Sequence, residues 1–83
     1  METTKINYRI EKTTHCLIAV FTDKLSNGKY AYYDLYGDFH GEIDELFIRE
    51  KTKNAKGYNF ASFNDQLRRR GYHNIVMSNR MIY

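Results

Sequence analysis

Proline and tryptophan are absent from this chain of 83 residues, and Cys16 is its only cysteine. A single thiol excludes an intrachain disulfide framework and any zinc site built on cysteines. No apolar run is longer than the six residues from Cys16 to Phe21, far short of the roughly 18 that a membrane-spanning helix needs. The N-terminal residues Met1 to Thr14 are polar and offer no apolar leader segment, so a cytoplasmic, intracellular location is expected and no membrane partner. Sustained heptads, a P-loop, a GxSxG elbow and a GxGxxG turn are all missing, which removes the common signatures of nucleotide-binding and serine-hydrolase sites. His15, His40 and His73 stand far apart, with no HxH or HxxxH spacing. No metal, cofactor or catalytic residue is therefore assigned.

What the chain does contain is enough to fold. Ile, Leu, Val and Phe make up 19 residues and tyrosine another eight, above the apolar content of about 20% below which charged chains stay disordered. The reading is one α+β domain over residues 1–83. A domain of this size buries only about 60% of its unfolded surface, so marginal stability is expected, with homodimerisation as one remedy.

Ile6, Tyr8 and Ile10 alternate with Lys5, Asn7, Arg9 and Glu11, the period of a half-buried strand. Its polar side suggests an edge position. Cys16 to Phe21 reads as a central strand, and Asn27-Gly28 as the tight reversal into a third strand over Tyr30 to Tyr36. Residues 42–56 read as helix rather than a short strand at Leu46-Phe47-Ile48. Acids stand first and bases last, Glu45 and Arg49 are spaced to pair, and Gly57 follows. A second helix is expected from Ser62 as N-cap, with Asp65 in capping-box position, to Arg68–Arg70 and a stop at Gly71. Ile75-Val76-Met77, with Met81 and Ile82, reads as a last strand. The order is β-β-β-α-α-β: an antiparallel sheet of about four strands with both helices on one face.

Charge is unevenly spread. Residues 1–45 carry five bases and eight acids, whereas residues 46–83 carry eight bases and two acids. Asp34, Asp38, Glu42, Asp44 and Glu45 fall within twelve residues that hold no base. Opposed surface patches are expected.

Tyr30, Tyr32 and Tyr36 fall on one strand face together with Asp34 and Asp38. Rigid amphipathic rings interleaved with charge form the composition of protein-binding hot spots. The leading expectation is a non-enzymatic inhibitor that occludes a protein partner or complex through this aromatic, acidic face. Its richness in Lys, Asn, Ile and Tyr suits an AT-rich genome such as that of a phage or mobile element. A second expectation is an RNA- or DNA-binding protein: Arg68, Arg69, Arg70 and Arg80 would contact phosphates, and Tyr72 would stack on bases. A third, minor branch is a metal-independent ribonuclease using His40 or His73 with Arg80 and Tyr83. Asp38-Phe39-His40-Gly41 is the most site-like tetrapeptide, read as a loop, and Cys16 is read as inert core.

Overall fold

The structure, a computed structural model, describes residues 3–34, 36, 39–81 and 83. Strand β1, Thr4–Glu11, runs through the middle of the molecule rather than along an edge. On one side it pairs antiparallel with β2, Leu17–Phe21. On its other side two short strands share its length. Its Arg9–Glu11 end pairs antiparallel with β5, Thr52–Asn54, and its Thr4–Ile6 end pairs parallel with β6, Ile75–Met77. Beyond β2 lie β3, Tyr30–Asp34, and then β4, Phe39–Ile43, giving the order β4-β3-β2-β1-β5. Helix α1, Glu45–Lys51, connects β4 to β5, and helix α2, Ala61–Arg69, precedes β6.

The α+β class and the mostly antiparallel sheet are as expected. The edge assignment of β1 is corrected, and the reason lies on its polar side. Ile6, Tyr8 and Ile10 are buried, as the alternation requires, but so are Asn7 and Arg9, at 2% and 8% exposure. The alternation correctly identifies a strand; it cannot tell that a second layer covers the polar side.

That layer also corrects the expectation of helices on a single face. Neighbouring strand residues point to opposite faces, and the two apolar clusters divide accordingly. Ile6, Tyr8, Ile10, Leu17 and Ala19 pack with Leu67 of α2, supported by Phe60 and Phe63. Ile18, Val20 and Tyr30 pack with Ile48 of α1 and with Met81. One helix therefore sits on each face. The apolar-on-both-sides run Leu17–Val20 has a physical cause: each of its faces has a cover.

Local chemistry explains the helices. The Asp44 carboxylate accepts from Phe47 N–H at 2.8 Å and caps α1, and Glu45 pairs with Arg49 at 2.8 Å as its spacing predicts. The helix stops after Lys51, sooner than expected, because Thr52 is drawn into pairing with Glu11. Helix α2 begins one residue before Ser62, and Asn59 Oδ1, not Ser62, accepts from its first N–H. Asp65 binds Arg68 at 2.5 Å instead of closing a capping box. Gly71 does stop the helix, with φ +98, and Tyr72 N–H donates back to the Leu67 carbonyl. The β2–β3 connection is a longer loop over residues 22–29. Gly28 alone takes a left-handed angle there, and Leu25 exchanges bonds with Gly28 and Lys29.

The polar centre of the α1 face is Arg9. Its Nε donates to Thr52 Oγ1 at 2.5 Å, one terminal nitrogen donates to Asn7 Oδ1 at 3.0 Å and Asn54 Oδ1 at 2.8 Å, and the other to the Thr52 carbonyl at 3.2 Å. The Thr52 hydroxyl passes the chain on to the Ile48 carbonyl at 2.5 Å, one of the acceptors left over at the end of α1. Asn7 Nδ2 in turn holds the Ser78 carbonyl at 2.9 Å. Burial lowers the Arg9 pKa, and the Tyr83 phenol acts in the opposite direction.

Two outcomes follow for urea-unfolding measurements. Leu67→Ala and Ile48→Ala should each cost about 2–5 kcal/mol, because each truncates the helix anchor of its own face. If either face were dispensable, one of the two would be near neutral. Arg9→Ala should cost about 3 kcal/mol or more, since it strands the buried oxygens of Asn7 and Thr52 and takes a partner from the half-buried Asn54. A cost below about 1 kcal/mol would show the network to be incidental.

Candidate functional site

Pairing register places side chains in rows across the sheet. On the face covered by α1, one row reads Arg9, Ile18, Asp34, Phe39 and the next reads Asn7, Val20, Tyr32, Gly41. The α1 cover does not reach the β4 end of these rows. Phe39 is 57% exposed there, its ring 6.0 Å from that of the half-buried Tyr32. Gly41 lets the Tyr32 ring lie across β4, because a Cβ at that position would meet Tyr32 Cε1 at 3.2 Å. Asp34 stands in the same row as Phe39 and accepts from the Tyr36 N–H at 3.0 Å. Two rings and a carboxylate thus form a small aromatic, acidic patch at one end of the sheet.

The residues singled out from the sequence do not all join it. Tyr32 and Asp34 do. Tyr30 is fully buried in the α1-side cluster and serves the core. Strand pairing ends at Asp34, and the Tyr36 ring lies 5.9 Å from Phe63 of α2, on the opposite face. The single-face row is therefore broken by the turn, and Asp38 lies outside the described residues. Phe39 gives no signal as a contact residue while residues 38–41 read as a loop. Phe39, His40 and Gly41 belong to β4 instead.

Basic residues gather at the opposite edge. Helix α1 leaves the acidic end at Asp44 and Glu45 and delivers Lys51 to the start of β5, where Lys53 and Lys56 follow. A cleft of about 530 Å³ opens along β5, lined by Ile10, His15, Lys53, Asn54, Lys56 and Tyr58. These lysines belong to the base-rich part of the chain, residues 46–83, whereas nothing in the sequence singles out Tyr58 or His15 as their neighbours. Their convergence comes from β5 pairing with β1. The sign separation is imperfect: Lys24 lies 5.8 Å from the Tyr30 ring, near the far end of β3.

The arginine set is dispersed. Arg68 is paired with Asp65, while Arg70 donates to the Gln66 carbonyl at 3.0 Å and lies 5.1 Å over the Tyr33 ring. Arg69 is exposed at the end of α2 and Arg80 is exposed in the segment after β6. Tyr72 is half-buried, 5.0 Å from Phe21 and 6.2 Å from Tyr33, so its ring is packing surface rather than a stacking platform. His40 lies 5.4 Å from the Tyr33 ring, and His73 is exposed after α2. Cys16 is half-buried in the loop before β2, not inside the strand. Among the described residues, no group of three or more His, Cys, Asp or Glu side chains is arranged to hold a metal ion, and no helix is long and apolar enough to cross a membrane.

Burial raises the pKa of Tyr32, and the Asp34 and Glu11 carboxylates raise it further. Burial raises that of Tyr8 as well, opposed by Arg68. The Tyr8 hydroxyl donates to Asn64 Oδ1 at 2.7 Å. A phenol whose folded pKa exceeds its unfolded value near 10 keeps its proton longer in the native state. Its stabilising contribution is therefore complete below about pH 10 and is lost as pH climbs through the folded value. Unfolding free energy measured from pH 8 to above pH 11 should stay level and then decline, with a shallower decline in Tyr8→Phe and Tyr32→Phe. An identical slope in both variants would locate alkaline sensitivity elsewhere.

Comparison of the chain with protein-family models, with curated proteins and with solved structures finds no match.

Proposed function

We propose that this protein is a non-enzymatic binding protein that occludes a macromolecular partner through the aromatic, acidic β3–β4 end of its sheet. The observation that carries this reading is the pairing of Tyr32 with the 57% exposed Phe39, in register with Asp34. An exposed phenylalanine beside a tyrosine already fixed by packing loses little rotamer freedom on docking, and rigid rings dominate interface energetics. Asp34, with Glu11 near enough to act on the Tyr32 phenol, biases the choice toward a partner of positive surface. No catalytic step is assigned to the patch, which offers neither a paired acid and base nor a nucleophile.

A second reading rests on the β5 cleft. Lys53, Lys56 and Tyr58 combine phosphate-contacting ammonium groups with an exposed ring, the pairing that single-stranded nucleic acid requires. This cleft replaces Arg68–Arg70 and Tyr72 as the nucleic-acid candidate, because two of those arginines and the tyrosine are engaged within the fold.

One set of variants separates the readings. With immobilised protein and lysate of the native host, Phe39→Ala and Tyr32→Ala should reduce retention of the specific partner at least tenfold while the melting temperature of Phe39→Ala changes little. Lys53→Ala should leave that retention intact. Retention unaffected by both aromatic substitutions would reject the patch. If the second reading holds, a single-stranded oligonucleotide should instead bind with steep salt dependence. The slope should fall by about 0.7 for each lysine removed at positions 53 and 56.

A further inference from the structure

Strand β4 is the outermost strand of the sheet, and its outer side has no strand partner among the described residues. Such an edge is a template for pairing, and proteins commonly guard it with lysine, proline or a bulge. The sequence of β4, Phe-His-Gly-Glu-Ile, contains neither lysine nor proline. It has a different property: it is its own complement.

A second copy rotated by 180° about the sheet normal would set β4 antiparallel to β4 and keep each face of the sheet on its own side. Centred on Gly41, this register places Phe39 opposite Ile43 of the second copy and His40 opposite Glu42, each pair occurring twice. The apolar pairs fall on the face that carries Tyr32, the polar imidazole–carboxylate pairs on the other face, because Gly41 pairs with Tyr32 and His40 with Tyr33. The adjacent registers that preserve the faces are centred on residue 40 or residue 42. The first puts His40 against His40 and forfeits both imidazole–carboxylate contacts; the second puts Glu42 against Glu42, and directly opposed like charges destabilise a strand pair. At the two-fold axis only glycines meet, so no side chains collide where the strands cross. His40 and Glu42 are both exposed, and one Glu42 oxygen accepts from Asn27 Nδ2 of the β2–β3 loop at 2.8 Å.

We propose that the protein forms a two-fold dimer through antiparallel pairing of β4 with β4 of a second copy, in the register centred on Gly41. The five-residue strands bury a small area, below the size of stable interfaces, so a dissociation constant on the order of 0.1 mM is expected. Asp44 and Glu45 lie next to the join in both copies and oppose association. Asp44 is committed to capping α1, and Glu45 is neutralised by Arg49.

Sedimentation equilibrium of the intact chain over roughly 10 μM to 1 mM tests this directly. The wild type should fit a monomer–dimer equilibrium. His40→Glu places Glu against Glu at two symmetric sites and should weaken the dimer about tenfold or more, and Glu42→Lys should also weaken it. The double variant His40→Glu/Glu42→Lys sets opposite charges against each other at both sites and should return to within about threefold of wild type or bind more tightly. Lys53→Glu, at the other edge, should change nothing. Amide exchange of β4 in the wild type should slow as concentration rises, a readout that does not depend on any variant folding. A wild type that stays monomeric to about 1 mM, or grows past dimers, overturns the proposal. So does a double variant as weak as its single parents, or concentration-independent exchange in β4.

Discussion

The architecture depends on a guanidinium held out of water with no ion-pair partner among the described residues. Removing such a cation from solvent costs several kcal/mol. Arg9 recovers a comparable amount through four hydrogen bonds, each worth about 1.5–3 kcal/mol when one partner is charged. The network ties together three parts of the fold. Asn7 lies on β1 itself, Thr52 and Asn54 bring β5, and the Thr52 hydroxyl brings the end of α1. Because Asn7 also holds Ser78, the same network fixes the segment that follows β6. A carboxylate partner would have satisfied the charge at a single point. Neutral acceptors on two strands, with α1 joined through the Thr52 hydroxyl, make the charge an organising centre of an interior β1.

This centre also fixes where surface charge can appear. Helix α1 must travel from β4 at one edge to β5 at the other, since Thr52 is required beside Arg9. Its acids stand first and its bases last, as the helix dipole favours. The same arrangement that stabilises a seven-residue helix therefore places Asp44 and Glu45 near β4 and Lys51 near β5. Separation of sign across the molecule is a by-product of local helix energetics combined with topology. It needs no additional selection for a polar surface.

Much of the fold is legible in residue order. The alternation in Ile6, Tyr8 and Ile10, the doubly apolar run Leu17–Val20, and the Glu45–Arg49 spacing each report a local cause that the structure retains. The failures share a different cause. Asn7 and Arg9 look solvent-facing because polarity along a strand signals exposure only if nothing covers that face, and the cover, α1 over Glu45–Lys51, lies far along the chain. Strand β4 is hidden because its alternation, Phe39 and Ile43 on one side with His40 and Glu42 on the other, is interrupted by Gly41, whose bareness makes room for Tyr32. Tyr36 is misplaced because the Asp34 carboxylate bonds its N–H and turns the chain, ending the strand's alternation. Of the candidate contact residues, Tyr32 and Asp34 follow from strand periodicity, whereas Phe39, Lys53 and Tyr58 acquire their setting only through tertiary pairing.

A sheet clothed on both faces leaves a small protein few places to meet anything else. Leu67 anchors one cover and Ile48 the other, each fully buried, so neither face can open for a partner without losing a core that is already minimal. Recognition is thereby displaced to the rim: the β4 edge with Phe39 and Tyr32, and the β5 edge with its lysines and Tyr58. Rim contacts are short and offer modest area, so affinity there must come from rigid rings and backbone pairing rather than from extent. Opposite charge on the two rims then determines which kind of surface each can approach, because complementary fields govern encounter and exclude mismatched partners more than they add binding energy. The position of the functional surface is in this sense a consequence of how few residues there are to build a core.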